Sequence, residues 1–273
     1  MTTPSMPPNE PSNQPPDRLI APTAPPPRDA TYWAQMITRL KVGEVPPGAV
    51  NLNVEGHRVA NPLQGFGPLW QKTYLVQLSG AAVTAADVVG EWKARFPEFQ
   101  PPENRLYPAL AGVEPGQIVL LNASMRGLPV DSGLLVLYAD DESFAFMTPE
   151  GCPEAGWIMC SAYENNGTMV AQVQTQGRAN DPLFEFGFRF LGGAQQQEKI
   201  WMHVLRELAA IFGVSGHVEL RKVCLDPRIQ WSKATNVWRN ATVRSMLYTV
   251  ATPVRRLSRG SHAASSRAIR PGG

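Results

Sequence analysis

The sequence predicts an α+β protein, in which an antiparallel sheet is covered by helices. Three observations carry this. Residues 118–176 hold successive strand signals joined by short polar turns, one of them an Asn-Gly pair. Residues 195–212 hold the longest amphipathic helix pattern, whose apolar stripe needs a sheet to bury it. A strand and a helix at 70–96, followed by a Pro-rich link, come before the strand run.

The elements follow in order. TYWAQMITRLK at 31–41 predicts a short helix, because Tyr32, Met36 and Leu40 recur every four residues. Residues 43–68 are rich in Gly and Pro and read as loop. QKTYLVQLSG alternates, with Tyr74, Val76 and Leu78 on one face of a half-buried strand. Thr84 with Asp87 three residues on has the form of a capping box. Val88, Trp92 and Phe96 then make a helical stripe, and Pro97, Pro101 and Pro102 stop it. IVLLNA (118–123), LLVLYA (134–139), SFAFM (143–147), GWIMCSAYE (156–164) and TMVAQVQTQ (168–176) are the strand run. Asn166-Gly167 joins the last two as a hairpin. Asp181-Pro182 is a cap and first-turn pair for a short helix through LFEFGFRFL. In the helix at 195–212, Trp201, Val204, Leu205, Leu208, Ile211 and Phe212 form the buried stripe. HVELRKVCL reads as a further strand, and residues 232–250 as a last helix ended by Pro253.

Composition divides the chain. Ten of the 26 prolines lie in residues 1–30, a segment too polar to offset its ordering entropy and therefore expected to be disordered. The net charge of +2 hides an asymmetry: nine of the 25 Lys and Arg, and none of the 23 acidic residues, follow Asp226. The chain up to Asp226 therefore carries 16 basic against 23 acidic residues, or −7, and the remainder carries +9. The total charge excludes an electrostatic nucleic-acid binder as a whole-chain role, and no specific nucleic-acid binding is expected. Three cysteines without CxxC spacing fit a reducing, cytoplasmic setting. No secretory signal and no apolar run of membrane-spanning length is read. The expected organisation is a Pro-rich tail (1–30), a short helix and loop (31–69), a main domain (70–214), a strand and helix extension (215–253) and a basic tail (254–273).

Chemistry-bearing motifs are sparse. His57, His203, His217 and His262 are scattered, and no zinc spacing, P-loop, GxGxxG after a strand or GxSxG elbow occurs. No metal or cofactor is expected. Arg178, Asp181, Glu185 and Arg189 are close enough in sequence to meet an anionic headgroup, but a helix cap with surface ion pairs explains them better. Pro25-Pro26-Pro27 has the form of a polyproline ligand, and Arg255-Arg256-Leu257-Ser258 that of a basophilic kinase site.

From about residue 70 to 214 the order of elements resembles the START-like (SRPBCC) superfamily. The carriers are QKTYLVQLSG with TAADVVGEW, the pair FAFMTPEGCPEAGWIMCSAY and MVAQVQTQGRANDP, and the helix EKIWMHVLRELAAIFGV. The second of these is also similar to a stretch of an uncharacterised bacterial branch, with Cys152-Pro153 standing where that branch has His-Pro. The resemblance implies a helix-grip fold, a curved antiparallel sheet around a long C-terminal helix, here with extra N- and C-terminal helices. It implies non-catalytic binding of a hydrophobic or amphipathic small molecule, lipid- or polyketide-like, between sheet and helix. A cyclase or dehydratase and an interaction module working through its tails are the alternatives.

Alternation then nominates cavity residues. On the strand 156–164, Trp157, Met159, Ser161 and Tyr163 share a face. They are taken as inward because they are the larger set, in step with Met169, Ala171 and Val173. Trp201, Leu205 and Leu208 face them from the long helix. Ser161, Tyr163, Asn122 and Thr175 are the polar groups expected to orient a ligand, and Tyr163 is the candidate proton donor of a cyclase. The basic end, with Trp238, Met246, Leu247 and Tyr248, is expected to meet an anionic membrane surface or a protein partner.

Overall fold

The computed structural model describes residues 30–109 and 111–250. Eight strands, β1 (Leu69–Gln77), β2 (Asn104–Tyr107), β3 (Ile118–Met125), β4 (Leu128–Ala139), β5 (Ser143–Met147), β6 (Glu154–Asn165), β7 (Thr168–Ala179) and β8 (Val218–Asp226), form one antiparallel sheet. Its order is β2-β3-β4-β5-β6-β7-β1-β8. The helices are α1 (Ala85–Ala94), α2 (Pro182–Phe190), α3 (Gly193–Ile211) and α4 (241–250).

Local chemistry sets most of these boundaries. Thr84 and Asp87 close a reciprocal capping box, with Thr84 N donating to Asp87 at 2.8 Å and Asp87 N to Thr84 Oγ1 at 3.2 Å. Asn166 and Gly167 both take positive φ, 50° and 76°, as a tight two-residue hairpin demands. Arg126 and Gly127, at 54° and 82°, make the same turn between β3 and β4, although Arg is an uncommon residue there. Asp140 Oδ1 accepts from the backbone of Glu142 and Ser143 at 2.8 and 2.6 Å and so folds the turn from β4 to β5. Asp181 caps α2 through the amides of Leu183 and Phe184, with Pro182 in its first turn.

The inner face of the sheet meets α1 and α3. Tyr74, Val76, Val88, Val89, Trp92, Phe96, Phe144, Phe146, Val173, Val204, Leu205 and Leu208 form one buried cluster there. The outer face of β3 and β4 is covered by the segment near residues 40–59, through a second cluster of Leu40, Val54, Ile118, Leu120 and Leu135. Residues 43–68 are loop, as their Gly and Pro content predicts, with a 3₁₀ turn at Pro62–Gln64.

Three expectations are corrected. Residues 31–41 hold a 3₁₀ turn at Ala30–Tyr32 and no helix; Trp33 instead bridges to Tyr138 of β4 and packs on its ring at 4.7 Å. Tertiary aromatic contact overrides a weak helical period there. The stretch 97–117, read as a Pro-rich link, contains β2, because Asn104–Tyr107 finds β3 as a pairing edge. The helix expected over 232–250 is two pieces, a 3₁₀ segment Trp231–Arg239 and α4, divided at Asn240. Asn240 is buried, gives Nδ2 to Asp181 Oδ2 at 2.9 Å, and caps α4 by accepting from Val243 N at 3.0 Å. The tails, including Pro25-Pro26-Pro27 and Arg255–Ser258, lie outside the described residues.

Candidate functional site

A cavity of about 150 Å³ lies between the inner face of the sheet and the N-terminal half of α3. Its walls are Leu106 of β2, Leu121, Ala123 and Met125 of β3, Val130 and Leu134 of β4, Ile158 of β6, and Ile200 and Trp201 of α3. Strand alternation explains the set. Leu121, Ala123 and Met125 face the cavity while Leu120 packs in the outer cluster and Asn122 bonds to Gly48 O at 2.8 Å. A methyl group added at Gly156 would come within 2.2 Å of Gln176 O across the β6–β7 pair, so only glycine allows that close approach at the cavity wall.

One end of the cavity is polar. Glu154 lines it and accepts from Gln197 Nε2 at 2.8 Å. Gln197 Oε1 in turn accepts from Lys72 Nζ at 2.9 Å. Lys72 is buried on the inner face of β1, and its ammonium lies 3.8 Å from Glu198 Oε1. A buried ammonium requires such partners, since an unpaired charge in the interior is costly. Gln197 therefore ties a carboxylate of the cavity wall to the buried ammonium of Lys72. Tyr74 Oη is buried nearby with no hydrogen-bond partner among the described residues. Burial, reinforced by the charges of Glu154 and Glu198, holds its phenol well above the usual range, so it remains a neutral donor. The Cys152 thiol, also at the wall, is pushed up to about 11 by burial and is no nucleophile at neutral pH.

The nominated residues divide into three groups. Trp201 lines the cavity, and Trp157 borders it although its position on β6 belongs to the outward parity of Met159, Ser161 and Tyr163. Ala171, Val173, Leu205 and Leu208 are fully buried core beneath it, and Met169 packs on that core half-buried. Met159, Ser161 and Tyr163 lie on the opposite face of β6, where Met159 and Tyr163 are each 39% exposed. Tyr163 Oη reaches Gln172 Oε1 at 3.3 Å on the outside of the sheet, away from the cavity.

That placement is a correction with a packing cause. The residues of β6 that pair with Ala171 and Val173 are Ala162 and Cys160, so the inward set is Ile158, Cys160 and Ala162. The helices bring the bulk, Trp92 from α1 and Trp201 and Leu205 from α3. Small strand residues beneath them keep the core at close-packed density. Choosing the larger face shifted the strand by one residue, which exchanges every side chain between faces.

Several residues of the wall and of the polar relay escaped the sequence reading. Gln197 and Ile200 continue the stripe of Trp201, Val204 and Leu208 at helical spacing toward the helix start, and that periodicity was available. Lys72 shares the alternation of Tyr74, but a charged side chain on an inward face is not forecast by hydropathy. Of the expected polar groups, Asn122 turns outward to Gly48 and Thr175 is buried in the sheet.

Arg178, Asp181, Glu185 and Arg189 are satisfied within the chain. Arg178, 2% exposed, donates to Gly67 O at 2.8 Å, Arg228 O at 2.9 Å and Asp226 Oδ2 at 2.6 Å. Glu185 and Arg189 pair at 2.7 Å along α2. No group of His, Cys, Asp and Glu among the described residues is placed to hold a metal ion. No helix among them is long and apolar enough to cross a membrane.

No family model matches the chain, and no curated protein matches it. Solved structures do, over about half its length. Ara h 8.0201 is 10% identical over 53% of this chain and 97% of its own, with a TM-score of 0.39. The di-domain ARO/CYC StfQ from the steffimycin biosynthetic pathway is 13% identical over 53% of this chain and 50% of its own, with a TM-score of 0.41. A START superfamily protein from Mycobacterium smegmatis is 14% identical over 53% of this chain and 99% of its own, with a TM-score of 0.36. The antiparallel order β2-β3-β4-β5-β6-β7-β1, the strand-then-helix opening and the long helix packed on the sheet give the chain an α+β fold, extended at the β1 edge by β8.

Proposed function

We propose that the protein binds a small hydrophobic molecule with one polar end, without transforming it, in the cavity between the sheet and α3. The observation that carries this is the wall itself: aliphatic and tryptophan side chains on most sides and a tethered carboxylate, Glu154, at one end. Ligand sites are built in this way, largely apolar with few placed polar groups. The volume sets the scale. About 150 Å³ matches a cavity that takes up benzene, and lies below the roughly 300–1,000 Å³ of sites for larger ligands. A single ring with a hydroxyl or amine fits. A whole sterol, acyl chain or polyketide requires the walls at Met125, Gln196 and Trp157 to move.

A cyclase reading loses its proton donor, since Tyr163 stands on the outer face. Glu154, at the wall, is better placed to receive a ligand's polar atom, which is an orienting role.

Native mass spectrometry of freshly purified protein, followed by saturation-transfer NMR with phenol and with aniline, tests the proposal. A retained small molecule or saturation transfer to a ring probe, weakened in Glu154→Ala and Trp201→Ala, is expected. Neither a retained species nor transfer to either probe would refute it.

A further inference from the structure

Helix α4 has its faces inverted relative to an ordinary surface helix. Ala241, Thr242 and Ser245 are buried against the body. There Ser245 Oγ accepts from Asp131 N at 3.1 Å and from Asn53 Nδ2 at 3.2 Å. Opposite them, Val243, Met246, Leu247 and Val250 fall at i, i+3, i+4 and i+7, the spacing of a continuous apolar stripe. These four are 37%, 41%, 66% and 75% exposed. Stripes of that kind are normally turned to a core, and outward-facing apolar patches mark contact surfaces.

Charge says what the surface contacts. The helix has a single charged residue, Arg244, which is engaged by His57 Nε2 at 3.1 Å and Leu52 O at 3.3 Å. Directly after it, residues 251–273 carry Arg255, Arg256, Arg259, Arg267 and Arg270 and no acidic residue. The large aliphatic residues of that segment are Val254, Leu257 and Ile269. A nucleic acid would use the arginines but not Leu247 and Val250. An anionic lipid surface uses both.

We propose that α4 and the arginines that follow it dock the protein on an anionic lipid surface. The stripe 243/246/247/250 enters the headgroup boundary and the arginines neutralise lipid phosphates. Stable interfacial anchoring needs such a pair of signals, since one alone gives marginal binding. Phosphate attraction contributes about fivefold per arginine near the surface.

The test is flotation of the full-length chain with phosphatidylcholine vesicles, either alone or containing about 30% phosphatidylserine. Binding to the anionic vesicles only is expected. The double variant Leu247→Asp/Val250→Asp should bind at least about tenfold more weakly. Truncation after Val250 should weaken binding by more than about 100-fold. Leu63→Asp, at a position 69% exposed on a different element, should bind as the parent does. Failure of the parent to float with anionic vesicles, or equal flotation by the double variant, overturns the proposal. So does a parent dimer that the double variant splits without lipid, which assigns the stripe to a second copy. Salt-sensitive binding to RNA that ignores Leu247 and Val250 overturns it too.

Discussion

Replacing Ala123 with leucine fills the cavity from the β3 wall, and its effect follows from the geometry. The cavity is about 150 Å³, and an empty volume of that size costs roughly 3.6 kcal/mol at about 24 cal/mol per Å³. Leucine adds three carbons, worth at most about 2.4 kcal/mol if all are buried. Ala123 is half-buried, so about half of that is realised, near 1 kcal/mol. A body of this size then melts about 2–4 °C higher. The same carbons occupy the space a ring would take, so phenol binding should weaken by at least about tenfold. Thermal melting by circular dichroism and saturation-transfer NMR on the same sample read both effects. Gain of stability with loss of binding is the signature of a functional cavity. A lower melting point with intact phenol binding would refute the reasoning, because it places the ligand elsewhere and shows Ala123 already packed.

Other consequences can be measured separately. Arg178→Ala leaves the carbonyls of Gly67 and Arg228 without their donor and frees the end of β8. A loss of about 3 kcal/mol, or about 6–12 °C in melting temperature, is expected, and a shift below about 2 °C would contradict the clasp. The Asp226 carboxyl is held well below the usual range by Arg228 first and Arg178 second. Its contribution is present above the unfolded value of about 3.9 and lost as pH falls, so the gap between parent and Arg178→Ala should narrow in acid. Tyr163→Phe should leave ring-probe binding unchanged and stability within about 0.5 kcal/mol, and a large loss of binding would restore Tyr163 to the site. Burial first, then Arg244, hold the His57 imidazole below its usual value, with Arg239 adding to this and Glu150 opposing it. The unfolded chain therefore binds more protons just below pH 6.5, and stability falls as pH drops through that range. Melting curves at pH 7.5 and 5.5 should converge in His57→Gln relative to the parent, and an undiminished pH response would discount His57 as its source.

Local signals in the sequence were sufficient for the elements that local chemistry builds. The Thr84–Asp87 box, the Asn166-Gly167 hairpin, the Asp181 cap and the stripe of α3 need only neighbouring residues, and each appears where its residues stand. The α+β class followed from their order. Where an element's fate depends on a distant partner, the sequence was silent or misleading. β2 exists because β3 offers an edge, and the helical period at 31–41 yields to Tyr138. Trp201 followed from the stripe of α3, and the same spacing reaches Gln197, whereas Lys72 and Glu154 were not legible, because a polar relay between β1, β6 and α3 has no signature in either strand.

By itself, then, the sequence determined that an antiparallel sheet would be covered by the amphipathic helix at 195–212. It also determined that the charge of the chain would divide near Asp226. Tertiary structure decided the face of β6. Both faces of that strand are apolar, so hydropathy could not choose. The helices above it supply the bulk, and only Cys160 and Ala162 are small enough to lie beneath them. The same close packing turned the small residues of α4 inward and left its aliphatic stripe facing outward.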